Sequence, residues 1–163
     1  MPADIEKVLA DARSHCEEVI KPQVDSWNEG RAWPRAASDA AAKLGLTGLY
    51  APEELGGQGL PLGEGIRVYE ELGKGDGAYA FALSMHNICT FAVCGYGTEP
   101  FKAAWARELT SGRKLANFAL TEPQSGSDAG NMYSRAVIHD DGTWTINGAK
   151  AWVSLAGEAD VYL

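Results

Sequence analysis

The chain has 163 residues, 45% of them hydrophobic and 22% charged, with a formal net charge of −8. That length suits one ordinary domain, or one domain and part of another, and the composition is that of a packed core and not of a disordered chain. The acidic balance argues against a nucleic-acid surface, which needs clustered Lys and Arg. No apolar run is expected to be long enough to cross a bilayer.

The start, Met1-Pro2-Ala3-Asp4-Ile5-Glu6, carries early acids and no apolar core, so neither a signal nor a transit peptide is expected there. A cytoplasmic location is the corresponding expectation, although a processed organellar protein would read the same. From Ile5, apolar residues recur at helical spacing. Val8, Leu9, Ala12, Cys16, Val19 and Ile20 share a face with it, and Pro22 should bend or end that helix. Pro34 suits the first turn of a second helix running through Ala42, with Gly45 as its stop. Gly56-Gly57-Gln58-Gly59 is a loop. Leu62 to Leu72 and Ala78 to Val93 predict two more helices, the second apolar nearly all round and therefore central. Thr98 is a candidate cap for a last helix carrying Phe101, Trp105 and Leu109 and ending at Gly112. Cys16, Cys89 and Cys94 are odd in number and scattered, which fits small buried hydrophobes better than a disulfide framework or a metal site.

Beyond Lys114 the pattern changes to β. Leu115 to Leu120, Tyr133 to His139 and Trp144 to Trp152 predict strands, the last two joined by Asp140-Asp141-Gly142, a hairpin signal. Asn147-Gly148 is a second turn candidate, and Val161-Tyr162-Leu163 reads as the start of another strand. About four short strands make an open sheet with unpaired edges, so this half is expected to be part of a larger β domain. The predicted fold class is α+β: an all-α domain over 1–114, then an incomplete antiparallel β-barrel domain over 115–163.

Two stretches of this β half suit a ligand. Phe118-Ala119-Leu120-Thr121-Glu122-Pro123-Gln124-Ser125-Gly126-Ser127-Asp128 is a strand entering a loop of hydroxyl residues and glycine. Backbone N–H groups and hydroxyls of such loops approach phosphate or a polar ring edge closely. It lacks the Lys of a Walker loop and the dinucleotide glycine fingerprint; a bland strand-exit turn is the competing reading. In Asn147-Gly148-Ala149-Lys150-Ala151-Trp152-Val153-Ser154, a Trp among small residues at a strand end offers its face to a planar ligand. A hydroxyl two residues on would lie on the same side of the strand. Here the competing reading is a core Trp with a solvated Ser.

In this order the two stretches resemble the acyl-CoA dehydrogenase family, whose middle domain carries A-L-T-E-P-x-x-G-S-D and then N-G-x-K-x-W-I-[ST]. Gln124 and Ser125 stand where Gly and Ala are common, and Val153 replaces a frequent Ile. Upstream, Pro52-Glu53-Glu54-Leu55-Gly56-Gly57-Gln58-Gly59-Leu60 is similar to the family's P-E-x-x-G-G-x-G-L loop. Tyr69-Glu70-Glu71-Leu72-Gly73 with His86 is similar to the helix pair that follows, and Gly97-Thr98-Glu99 and Ser111-Gly112 to the helix leading into the β domain.

The resemblance implies FAD as cofactor and α,β-desaturation of an acyl-CoA thioester as reaction, a carboxylate removing the α-proton while hydride passes to flavin N5. It implies that Phe118, Ala119, Leu120 and Thr121 run beside the flavin ring, with the Leu120 backbone and Thr121 hydroxyl at the pyrimidine edge. Ser127 would meet the pyrophosphate and the CoA part of the substrate, Trp152 and Val153 would lie against the ring, and Ser154 would bond near N5, where a donor stabilises developing charge. The acyl cavity would be shaped partly by the helix around Ala80 to Thr90. An electron-transferring flavoprotein as acceptor and a homo-oligomer complete the implication. An oxidase or flavin monooxygenase on the same fold stays open.

The family's base is a Glu of its carboxy-terminal helical domain, to which no position here corresponds, so no catalytic residue is assigned. Glu70 and Glu71 read as a solvated helix face or local ion pairs, and Glu122 as structural. His15, His86 and His139 lack metal-ligand neighbours; His86 is expected to pack or to bond between helices. Trp27, Trp33, Trp105 and Trp144 read as core or inter-domain anchors. The alternative to the enzyme reading is a non-catalytic fragment or partner-dependent subunit that binds no flavin by itself.

Overall fold

The computed structural model describes residues 4–163; the first three residues of the leader reading lie outside it. Helix α1 (Ile5–His15) opens on Asp4, whose carboxylate accepts from the Glu6 N–H at 3.1 Å. It runs into a π-helical turn, Cys16–Ile20, and Pro22 falls in the break that follows. A short helix α2 (Val24–Gly30), not expected from the pattern, ends at Arg31 with a left-handed backbone (φ 50°). Pro34 sits just outside α3 (Arg35–Lys43) and not in its first turn, and Gly45 at φ 73° turns the chain away. A single 3-10 turn, Glu53–Leu55, lies within the Pro-Glu-Glu-Leu-Gly-Gly segment. Then come α4 (Leu62–Gly73), α5 (Gly77–Tyr96) and α6 (Glu99–Thr110), preceded by an extended Thr98 whose hydroxyl makes no cap bond.

Helix α5 is the axis of the helical part: α4, α6 and the first strand all pack on it. By length and composition alone it could span a bilayer, which corrects the expectation that no apolar run is long enough; 56% of that stretch is buried inside this fold. Leu83 of α5 and Leu9, Ile20, Leu46, Leu49 and Leu72 from other segments are fully buried in this core, each worth about 1.5–3 kcal/mol of transfer free energy. Trp27 and Trp33 gather about Tyr79, the Trp33 ring stacking on it at 5.4 Å and 10°. Trp105 packs against a second cluster of Cys89, Val93 and Leu109. All three cysteines are buried and free, and burial pushes the Cys89 thiol up to about 12.

The β part holds four strands in two small sheets, so the expected antiparallel barrel is not what these residues form. Strand β1 (Ala116–Asn117) pairs in parallel with β4 (Val161–Tyr162), while β2 (Arg135–Ile138) and β3 (Trp144–Asn147) form an antiparallel hairpin. The strands are shorter than the apolar runs that announced them: past Asn147 the chain leaves β2, whereas the residues flanking β1 still exchange backbone bonds with Val161 and Leu163. Asp140-Asp141-Gly142 does make the hairpin turn: Gly142 adopts φ 79° and Asp141 accepts from the Thr143 N–H at 2.9 Å. Every residue of β2 and β3 is exposed, Trp144 at 61% included, so Trp144 is not a core anchor here. Arg35 and Lys114 both pair with Asp160, which also accepts from the Leu115 N–H at 2.8 Å and ties β4 to the helices.

Candidate functional site

The two ligand-suited stretches meet in space through backbone bonds. After β1 the chain stays extended, Ala119 donating to the Leu163 carbonyl at 2.8 Å. The Ala151 N–H donates to the Thr121 carbonyl at 2.8 Å, and Lys150 Nζ donates to the Leu120 carbonyl at 3.0 Å. These contacts carry Trp152 up to the residues leaving β1.

Glu122 is the hub of the loop. Its carboxylate is buried and accepts from the Ser134 N–H at 3.0 Å, Lys150 Nζ at 2.9 Å, the Tyr133 N–H at 2.6 Å and Gln124 Nε2 at 2.7 Å. The bonds from Ser134 and Lys150, then those from Tyr133 and Gln124, hold the carboxyl well below the usual carboxylate range against the opposing effect of burial. The main chain doubles back there, Glu122 and Ser125 exchanging N–H···O bonds of 2.9 and 3.1 Å. A carboxylate so occupied accepts no proton near neutral pH, so the structural role expected of Glu122 agrees with its surroundings.

A cleft of 410 Å³ opens between α5 and these stretches, lined on one wall by Phe81, Met85 and Ile88 and on the other by Phe118, Leu120, Thr121, Trp152 and Ser154. Five of the eight sequence-assigned residues therefore share one cavity. Ala119 and Val153 do not line it: Val153 faces a separate 520 Å³ hollow with Trp27, Trp33 and Tyr79. Ser127 is exposed on the loop, outside the cleft. The strand expected to reach Trp152 stops at Asn147, so Trp152 and Ser154 do not share a strand face. Instead the backbone at Trp152 is left-handed (φ 56°), and its indole is 93% exposed. A bulky residue at positive φ costs of order 1–3 kcal/mol, and such strain gathers at sites of function.

Asn117 escaped the sequence reading. It is wholly buried, lines the same cleft, and neither its amide nitrogen nor its amide oxygen has a partner among the described residues. An unmet buried amide costs about 1–3 kcal/mol until a ligand or water meets it. The cleft thus offers an aromatic face, apolar walls, the Thr121 and Ser154 hydroxyls and one unpaired amide. A planar ring with a polar edge suits that set. The only sequence signal was an Asn in a buried-strand pattern.

The other candidates lie elsewhere. Glu71 is paired with Lys74 at 2.6 Å and Arg13 at 3.2 Å, and Glu70 is exposed. His15 is buried against the Tyr79 hydroxyl at 2.9 Å, and His139 is exposed beside Thr145 at 2.7 Å. His86 is buried and bonds from α5 to the Leu109 carbonyl of α6, the bond between helices expected of it, and also to the Thr47 carbonyl and the Ala116 N–H. No cluster of metal-ligating side chains exists among the described residues.

The acyl-CoA dehydrogenase N-terminal domain model matches residues 2–113, and the middle domain model matches residues 117–163. The mitochondrial isobutyryl-CoA dehydrogenase of Dictyostelium discoideum is 36% identical over 152 residues, covering 93% of this chain and 36% of that protein. The structure of butyryl-CoA dehydrogenase from Megasphaera elsdenii superposes with a TM-score of 0.88 at 34% identity, over 99% of this chain and 44% of the other. A glutaryl-CoA dehydrogenase from Mycobacterium smegmatis in complex with FADH2 gives 0.89 at 28%, over 99% and 42%. The chain therefore spans less than half the length of these relatives.

Proposed function

This chain belongs to the acyl-CoA dehydrogenase family, and we propose that it supplies the amino-terminal helical domain (1–114) and the flavin-contacting segment of the β-barrel domain (115–163) of an FAD-dependent acyl-CoA dehydrogenase. The observation that carries this reading is the convergence of Phe118, Leu120, Thr121, Trp152 and Ser154 on one cleft that also holds the unpaired Asn117 amide.

In this reading the Trp152 indole covers one face of the isoalloxazine and Phe118 lies beside it, while Ala119 and Val153, which do not line the cleft, carry only the chain between these contacts. The Leu120 backbone, the Thr121 hydroxyl and Ser154 supply hydrogen bonds at the ring's edge. Ser127 takes the pyrophosphate and the CoA portion of the substrate. The chemistry FAD supplies when bound is acceptance of hydride during α,β-desaturation of an acyl thioester. Phe81, Met85 and Ile88 give the acyl group an apolar wall and exclude water from it. Among the described residues no carboxylate lines the cleft, and the proton-abstracting Glu is assigned to the family's carboxy-terminal helical domain. An electron-transferring flavoprotein as acceptor, a homo-oligomeric whole protein and a cytoplasmic location belong to the same proposal.

Titration of the purified chain with FAD, followed in the visible spectrum, tests the assignment. Resolved vibronic structure and quenched flavin fluorescence are the expected outcome. An FAD spectrum unchanged at high concentration would support the second reading, a piece that binds flavin only with a partner; the exposure of Trp152 is what favours it.

A further inference from the structure

His86 is wholly buried in the middle of α5, and its ring touches three segments distant in sequence. The Ala116 N–H donates to Nδ1 at 3.0 Å. Nε2 stands 3.1 Å from both the Thr47 and the Leu109 carbonyl oxygens. A backbone N–H only donates and a carbonyl only accepts, so one tautomer satisfies all three: Nδ1 bare, the proton on Nε2 and shared between the two carbonyls.

The direction of the Ala116 bond matters. The groups of this segment that face β4 are the Leu115 and Asn117 carbonyls and the Ala119 N–H, which bond to Val161 and Leu163. The Ala116 N–H points the other way, across the free edge of β1 and into α5. Two residues later comes Phe118, and five residues later Thr121, about 17 Å along an extended chain. On the helix, Met85 precedes His86 and Ile88 lies two residues beyond it. One ring therefore joins the elements that form the two walls of the cleft.

We propose that His86 is a positioning residue: its Nδ1 sets the height of the β1 exit on α5, and through it the spacing between the Phe81–Met85–Ile88 wall and the Phe118–Thr121 wall. The flavin part of this proposal rests on the reading given under Proposed function; the contact with Ala116 does not. Neighbouring polar groups do not compete for the role. Asn87 is occupied by the Leu49 N–H and the Leu46 and Leu83 carbonyls, and the Thr90 hydroxyl donates to the His86 carbonyl at 2.9 Å.

Two substitutions divide the ring's work. In His86→Asn the side-chain oxygen occupies the neighbourhood of Nδ1 and still accepts from Ala116, while the Thr47 and Leu109 carbonyls lose their donor. In His86→Gln the longer amide reaches the Nε2 side and leaves the Ala116 N–H without an acceptor. Residue-resolved amide exchange of the full chain is measured first, then FAD titration. The expected result is that His86→Gln speeds Ala116 exchange and weakens FAD binding, each by about tenfold, the value of one hydrogen bond. His86→Asn keeps both within about threefold of the unaltered chain, although it too is less stable.

Loss of protection and affinity in step with global stability in both variants would overturn the proposal, as would unchanged Ala116 exchange in His86→Gln. An unaltered chain that binds no flavin would sink the flavin assignment, while exchange at Ala116 would still decide the part played by His86.

Discussion

The helical and β parts of this chain solve the same problem in opposite ways. In the helical part, buried polar groups are clamps: Asn87 holds the loop at Leu46 and Leu49, Thr47 donates to the Thr110 carbonyl at 2.8 Å, and Tyr79 joins His15 to the Ala37 carbonyl. Apolar side chains fill the space between them. In the β part, the hairpin β2–β3 leaves Val137, Ile138 and Ile146 to solvent, and the most conspicuous aromatic, Trp152, is 93% exposed. Most of the buried apolar packing is in the first part, and the polar lining of the cleft comes from the second. The cleft lies where they meet, so its geometry is inherited from α5 while its chemistry comes from the chain after β1. Sites built on rigid elements hold their geometry better than sites on loops, and here one wall is of each kind.

The largest effect expected from this contrast is on folding. Leu83→Ala empties a fully buried position on α5 and should cost about 2–5 kcal/mol. Val137→Ala, on the exposed hairpin, should stay within about 0.5 kcal/mol. Denaturant unfolding with a shared m-value measures both. Equal losses would mean that the hairpin is part of the cooperative core, and the division between the two parts would fall.

Next in size is a pH effect that belongs to the helical part. Burial, its largest cause, lowers His86 from 6.5 to about 4, with Arg35 adding to it and the carbonyls of Leu109 and Thr47 opposing. The unfolded chain therefore binds the proton first. Stability from the neutral ring is complete above about pH 6.5 and is lost as pH falls toward 4. At 1.36 kcal/mol per pH unit, that drop corresponds to about 3 kcal/mol. His15 is lowered by burial as well and acts in the same direction, so the slope of stability between pH 7 and 4 should flatten in His86→Asn without vanishing. An unaltered slope in that variant would mean that the ring is solvated in solution.

A smaller, local effect is expected at Glu122. Hydrogen bonds from Ser134 and Lys150 lower its pKa, so its contribution is complete above the unfolded carboxyl value near 4.3 and fades only as pH falls below that. Glu122→Gln should speed amide exchange at Tyr133 and Ser134 at neutral pH and leave the unfolding midpoint nearly unchanged. A midpoint shift as large as that of Leu83→Ala would place Glu122 in the cooperative core.

Much of this was legible in the sequence where local periodicity and tertiary packing agree. The helices of Leu62 to Leu72 and Ala78 to Val93 follow from apolar spacing, and Asp140-Asp141-Gly142 from turn chemistry. Helix α2 was not legible, since Val24–Gly30 buries no residue and so carries no stripe. The strand limits failed for another reason: a ladder needs a partner, and Trp144 to Trp152 has one only as far as Asn147. Motif order singled out Leu120, Thr121, Trp152 and Ser154, which line the cleft, but pattern alone could not foresee the left-handed backbone at Trp152. Asn117 and the joining role of His86 depend on contacts between segments far apart in sequence, which periodicity does not encode.

The smallest effect on stability is expected at Trp152, and there the contrast between the two parts is sharpest. An indole 93% exposed contributes little burial, so Trp152→Ala should move the unfolding free energy by no more than about 0.5 kcal/mol. Trp152→Gly should give back part of that loss, because glycine takes φ 56° without the strain a side chain meets there. If the exposed ring is held out for a flavin, Trp152→Ala should weaken FAD binding by about tenfold or more, the worth of one aromatic stack. Stability and affinity would then separate at this residue, whereas at His86 they fall together in one variant and divide in the other. Unchanged FAD affinity in Trp152→Ala, alongside an unaltered chain that binds, would move the ring contact to Phe118 and leave Trp152 as an exposed surface residue.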